Sequence, residues 1–198
     1  MGKTRSIIWS IVVVLMLCAG TGQASRVLVM PTADGLAERS FELDYVYHGG
    51  RHDVLLQLGV HPNFSAGLKQ EVGGPLYAVV KAVLAPETAE RPGLALGGEL
   101  SVARQDLYAV VSKQLGAPHI RGHLALGLGR YSRGMAGVTF MLNPVKVSNV
   151  PTTSLFFEYD GQDVAGGVTA QFSPELKTSL SLSLGHGLSV GMNYKMEF

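Results

Sequence analysis

The chain has 198 residues, of which 46% are hydrophobic and only 16% charged, and its formal net charge is +1. That length fits one domain, the low charge is unusual for a soluble one, and the near-neutral balance excludes nucleic acid as a partner because no basic patch exists to release phosphate counterions. Cys18 is the one cysteine, so no disulfide framework is possible.

The first 24 residues have the layout of a secretory signal. Lys3 and Arg5 precede the run "IIWSIVVVLML" at 7–17, and Gly22 and Ala24 supply the small residues of a cleavage site, which predicts a cut after Ala24. About 11 residues fall short of the ~20 that cross a bilayer as a helix. Leu17 stands where a lipoprotein signal places a small residue before Cys18, which argues against lipidation. Cleavage removes Cys18, Lys3 and Arg5, taking the net charge to about −1 and leaving a mature chain without thiol chemistry. Residues 25–40 then form a lead-in, and 41–198 carry the regular pattern.

That pattern is alternation of period two, broken by Gly, Pro, Asn and Asp turns. The segments are 41–48, 53–60, 64–72, 76–85, 94–103, 106–115, 119–131, 135–143, 154–160, 164–172, 176–184 and 187–198. Twelve strands are expected, within a range of 10 to 14, and most connections are short.

The two faces differ in kind. In 94–102, Leu94, Leu96, Leu100 and Val102 alternate with Ala95, Gly97, Glu99 and Ser101. Small residues interrupted by isolated charges suit a narrow lumen, and a continuous apolar face suits lipid. In hydrocarbon every backbone N–H and C=O needs an internal partner, so the sheet must close on itself. The expectation is an all-β fold, a transmembrane antiparallel up-and-down β-barrel in contact with outer-membrane lipid. Phe41, Tyr45 and Tyr47, on the face of Leu43, and Tyr159 and Tyr194, close to strand ends, are placed for an aromatic girdle.

The inward charges define an expected lumen network of Glu42, Asp44, Lys69, Glu71, Glu99, His119, Arg121, His123, Glu158, Asp160 and Lys195. His119, Arg121 and His123 alternate and are expected to share the lumen face, paired with carboxylates such as Glu42, Asp44, Glu71 or Glu99, because unpaired buried charge is costly. Two imidazoles about 7 Å apart could ligate a metal, but no third ligand stands at a recognisable spacing. Glu158, Asp160 and Asp163 in "EYDGQD" could gather a hard cation such as calcium, yet Asp-Gly is first of all a hairpin corner. No cofactor motif is present. His186 and Ser189 are a conceivable base and nucleophile, but odd spacing on one strand sends them to opposite faces, so no enzyme is expected.

The chain stops on "VGMNYKMEF", where Tyr194, Met196 and Phe198 share a face. This ending resembles the terminal signal of Gram-negative outer-membrane barrels, which implies recognition by the barrel assembly machinery. A second resemblance rests on Pro31, Thr32 and Ala33 before the first strand and on Glu158, Tyr159, Asp160, Gly161 and Asp163 in a hairpin. These segments resemble those of the YjbH-like family of exopolysaccharide-associated outer-membrane barrels, here as a short single barrel with Ala165 in place of an Asn. The resemblance implies exopolysaccharide or its export components as partners. The alternatives are a small-solute porin or a structural barrel without a polysaccharide role, and a rim-type lipid hydrolase.

Overall fold

In the computed structural model the described residues are 26–116, 119–143 and 150–198. The expected signal at 1–24 lies outside them. The strands are β1 (Ser40–His48), β2 (Arg51–His61), β3 (Phe64–Glu71), β4 (Leu76–Ala85), β5 (Gly93–Leu100), β6 (Gln105–Gln114), β7 (Ile120–Gly127), β8 (Met135–Met141), β9 (Thr152–Tyr159), β10 (Val164–Gln171), β11 (Leu176–Ser183) and β12 (Gly187–Glu197).

Each strand pairs antiparallel with its neighbour in sequence, and β1 pairs with β12, so the sheet is a closed twelve-stranded up-and-down barrel. The closing seam runs from Ser40 opposite Glu197 to Tyr47 opposite Val190. Both ends of the barrel chain therefore lie at one mouth, the terminal mouth. The opposite mouth carries the connections 49–50, 72–75, 101–104, 128–134, 160–163 and 184–186. No helix among the described residues is long and apolar enough to cross a membrane, which says nothing of strands.

Two expected strands end well before their patterns do. The segment 94–103 stops at Leu100 because Ser101 turns the chain, its N–H and hydroxyl both bonding the Arg104 carbonyl. The segment 119–131 stops at Gly127, since Gly129 adopts a φ of 65° and Gly129–Tyr131 form a 3-10 turn. A side chain at Gly129 would also strike the Asp106 carboxylate, so both space and conformation require glycine there.

The outward face is apolar around the ring, with Leu56, Leu68, Leu96, Leu124, Phe157, Leu180 and Val190 among the exposed residues. The packed core sits in the lumen. Met30, Ala33, Ala95, Tyr108, Val110, Ala125, Tyr131 and Met135 form one cluster, and Leu55, Tyr77 and Val79 a second. Met30 and Ala33 belong to the lead-in and not to the wall.

Candidate functional site: a plugged lumen

Residues 26–37 run from β1 back into the lumen. Leu28, Met30, Thr32, Ala33 and Leu36 are buried there, and the Val27 N–H bonds the Met30 carbonyl at 3.1 Å to turn the chain inside the barrel. Met30 packs where Gly137 lacks a side chain, since a Cβ at Gly137 would stand 2.9 Å from its sulfur. At the terminal mouth, Gly59 admits the Ala37 carbonyl, and the Arg39 N–H bonds the Gly59 carbonyl at 3.0 Å. Cavities of about 20 and 10 Å³ remain beside the plug, each about the space of one water.

The plug is tied to side chains of the wall. Arg26 meets Glu99 at 2.8 Å, and Lys177 donates to the Arg26 carbonyl at 3.2 Å. The backbone amides of Val29, Leu28 and Met30 stand beside the buried Glu158 carboxylate. The Ala33 N–H bonds the Ser112 hydroxyl at 2.8 Å, Lys81 donates to the Asp34 carbonyl, and Arg121 forks onto the Asp34 carboxylate.

The expected network residues fall into groups. Glu99, 1% exposed, is the hub: Lys69 at 3.1 Å, Arg130 at 3.6 Å and the Tyr131 hydroxyl at 3.2 Å join Arg26 around it. Glu71 lies 3.8 Å from Lys69. Glu42 and Asp44 share the side-chain amide of Asn193, and Lys195 stands opposite Glu42 across the closing seam. His123 is buried and bonds the Ser112 hydroxyl through Nδ1 at 2.8 Å.

Two placements, those of His119 and Arg121, differ from expectation, while Asp160 lines a small cavity with Leu28, Val29 and Glu158. His119 is exposed in the turn before β7, where its carbonyl takes the Met141 N–H, so it does not face the lumen with Arg121. Arg121 pairs not with Glu42, Asp44, Glu71 or Glu99 but with Asp34 and with Glu87 of the 86–92 connection. Asp160 sits in the β9–β10 turn, where its Oδ1 accepts the N–H groups of Gln162 and Asp163 at 2.8 Å each.

Asp163 ties that turn to the next. Its carboxylate takes the Gly185 N–H at 2.7 Å and the Val164 N–H at 2.8 Å, with His186 at 3.3 Å, and these bonds hold its pKa down at about 2. Ser189 is buried and reaches His48 Nδ1 at 3.5 Å, so His186 and Ser189 have separate partners. Among the described residues no three His, Cys, Asp or Glu side chains are grouped to hold a metal ion.

Tyr194 and Met196 of β12 alternate with Phe198 just beyond it, and Tyr194, 7% exposed, packs beside Phe41 with ring centroids 6.1 Å apart. Phe198 is exposed, and its N–H bonds the Arg39 carbonyl at 2.8 Å.

Sequence reasoning missed Arg26, Asp34, Lys81, Glu87, Asp106, Arg130 and Lys177. Lys81, Asp106 and Lys177 occupy the inward positions of their own alternating segments and were findable by period. Asp34 and Arg26 lie in a stretch without period, and Glu87 in a loop.

No family model matches the chain, and no curated protein matches it. Among solved structures the chain is similar to the KdgM porin, with a TM-score of 0.52 and 11% identity, over 80% of this chain and 99% of that one. A second similarity, to the N-terminal β-barrel domain of Pseudomonas aeruginosa OprF, has a TM-score of 0.27 and 9% identity over 81% of this chain and 100% of that one, too low to carry an argument. At 11% identity, the likeness to the KdgM porin shows a shared barrel fold.

Proposed function

We propose that the chain is an outer-membrane β-barrel of the porin kind, a narrow pore for small solutes held shut in this conformation by residues 26–37. The observation that carries the reading is the inversion of the usual globular plan: an apolar belt outside and a charged, plugged lumen inside a ring without edges. The fold likeness to the KdgM porin supports it. From Arg26 to Asp34 the bonds from plug to wall end on wall side chains, so the plug can withdraw without breaking the sheet.

Export by a cleaved signal, insertion by the barrel assembly machinery and contact with outer-membrane lipid belong to this reading. The barrel is non-enzymatic in this reading, in which the Ser189 hydroxyl reaches His48 Nδ1 only at 3.5 Å and His186 is taken up by Asp163 at 3.3 Å. An exopolysaccharide role rests on the resemblance of 31–33 and 158–163 alone. Those segments adjoin in the barrel, Glu158 standing beside the turn that precedes Pro31, and the plug accounts for that contact.

Two measurements test the reading. Membrane fractionation with heat-modifiable gel mobility is expected to find the protein in the outer membrane, and a soluble periplasmic protein would overturn the membrane assignment. In planar bilayers the native chain is expected to conduct rarely and Glu158→Ala steadily; silence of both would overturn the pore.

A further inference from the structure

Three strands of the wall close on two successive residues of the plug. Arg121 of β7 holds the Asp34 carboxylate through two bonds of 2.7 Å, Nη1 to Oδ2 and Nη2 to Oδ1. Lys81 of β4 donates from Nζ to the Asp34 carbonyl oxygen, and Ser112 of β6 takes the preceding N–H, that of Ala33, at 2.8 Å. The pair is not sealed, since Arg121 and Asp34 keep 18% and 16% of their side-chain surface exposed, and Arg121 is the second residue of β7 after the turn at the terminal mouth.

A planar guanidinium with two parallel bonds is a specific receptor for a carboxylate. The second point of the grip adds a distance. From the carboxyl carbon of Asp34 to its carbonyl carbon run two carbons, Cβ and Cα, so Arg121 and Lys81 together hold a carboxylate and an oxygen acceptor separated by a two-carbon spacer. Charge selects further. Glu87 holds Arg121 from the other side, to Nε at 3.0 Å and Nη2 at 2.8 Å, and is itself fixed by the Gln114 N–H. With Asp34 gone, Glu87 stays on Arg121 and Glu42 stays within electrostatic reach of Lys81, so a second carboxylate on the solute meets acids already in place and a monoanion is favoured.

We infer that this grip is a solute seat for short γ-oxo or γ-hydroxy carboxylates, occupied in the closed state by Asp34 as a built-in stand-in. Withdrawal of the plug frees the seat, and a solute's carboxylate takes the Arg121 fork while its γ oxygen reaches Lys81. The inference rests on the pore reading for its role in transport but not for binding.

Levulinate has the required skeleton, and pentanoate is its match in length without the γ oxygen. The protein refolded in detergent, with closure checked by heat-modifiable mobility, is titrated calorimetrically. Asp34→Ala combined with Glu158→Ala, which loosens the plug so that the residue-34 carbonyl leaves Lys81, is expected to bind levulinate at least tenfold tighter than the native chain does, and at least tenfold tighter than it binds pentanoate. Arg121→Gln in the same background is expected to abolish the binding. Equal affinity in native and variant chains, or for the two acids, overturns the seat. Should that chain fail to close, Asp34→Ala combined with Arg26→Ala loosens the plug from its other end and is held to the same criteria. Bilayer recordings of the same variant separate the two ideas: binding without current refutes the pore and leaves the seat, and current without binding refutes the seat and leaves the pore.

Discussion

Glu99 on β5 and Arg26 in the plug, 73 residues apart in the chain, meet at 2.8 Å inside the barrel, towards the mouth opposite the chain ends. Around the same carboxylate stand Lys69 and Arg130, so one buried anion answers three cations from three elements. Removing it leaves uncompensated buried charge, which costs about 3–5 kcal/mol. Glu99→Ala is therefore expected to lower the unfolding temperature of the refolded barrel sharply, measured by loss of the compact gel form on heating. Lys69→Met is expected to cost much less, because Glu99 keeps Arg26 and Arg130. A larger loss in Lys69→Met than in Glu99→Ala would contradict the hub.

Asp163 gives a pH dependence with a defined sign. Its pKa falls from the usual 3.8 to about 2 because it accepts the Gly185 N–H, then the hydroxyl and amide of its other neighbours. A depressed carboxylate pKa stabilises fully above the unfolded value and loses that contribution as pH falls through the folded one. The amides of Gly185 and Val164 are thus expected to be protected from hydrogen exchange above pH ~4 and to lose protection towards pH ~2. Asp163→Asn is expected to remove that step. A step unchanged in the variant would assign it to another group.

Gly59 is set where the lead-in crosses the wall. A Cβ there would lie 1.8 Å from the Ala37 carbonyl oxygen, a clash with backbone that no rotamer relieves. Gly59→Ala is expected to push residues 37–39 outward and to open a protease-sensitive point there while the closing seam stays intact. Gly50→Asn is the control, since nothing lies within 4 Å of its absent Cβ and asparagine tolerates its φ of 78°. Equal protease resistance of Gly59→Ala and the native chain would deny that the lead-in passes there.

Phe198 stands exposed just beyond β12 and bonds Arg39 through its N–H. A few polar residues appended after it, or Phe198→Ala, are expected to reduce membrane insertion several-fold in cells while leaving detergent refolding nearly unchanged. Loss in both assays would make the residue structural and not a signal.

Much of the barrel was legible because its two environments, lipid and lumen, alternate at the period of a strand. Leu94, Leu96 and Leu100 against Ala95, Gly97 and Glu99 declare both faces in seven residues, and twelve such segments imply an even, closable ring. The plug was not legible. Residues 26–37 have neither helical nor strand period, and their partners lie up to 151 residues away, as with Arg26 and Lys177. Alternation cannot name Asp34 and Glu87 as the acids of Arg121, because it fixes the face of a side chain and not what is folded back against it. His119 failed for the opposite reason: its alternation continues past the true start of β7, into a turn.

The closing seam bears on the order of assembly. Every other seam joins strands adjacent in the chain, so its hairpins can form locally, whereas Glu42 meets Asn193 across 151 residues. Loop closure of that length is entropically unfavourable and is met only once the intervening hairpins have shortened the gap. The plug precedes β1, so it is enclosed as the ring shuts, like a cork around which the staves are bent. The last act of folding and the first act of gating thus share the same handful of residues at the terminal mouth.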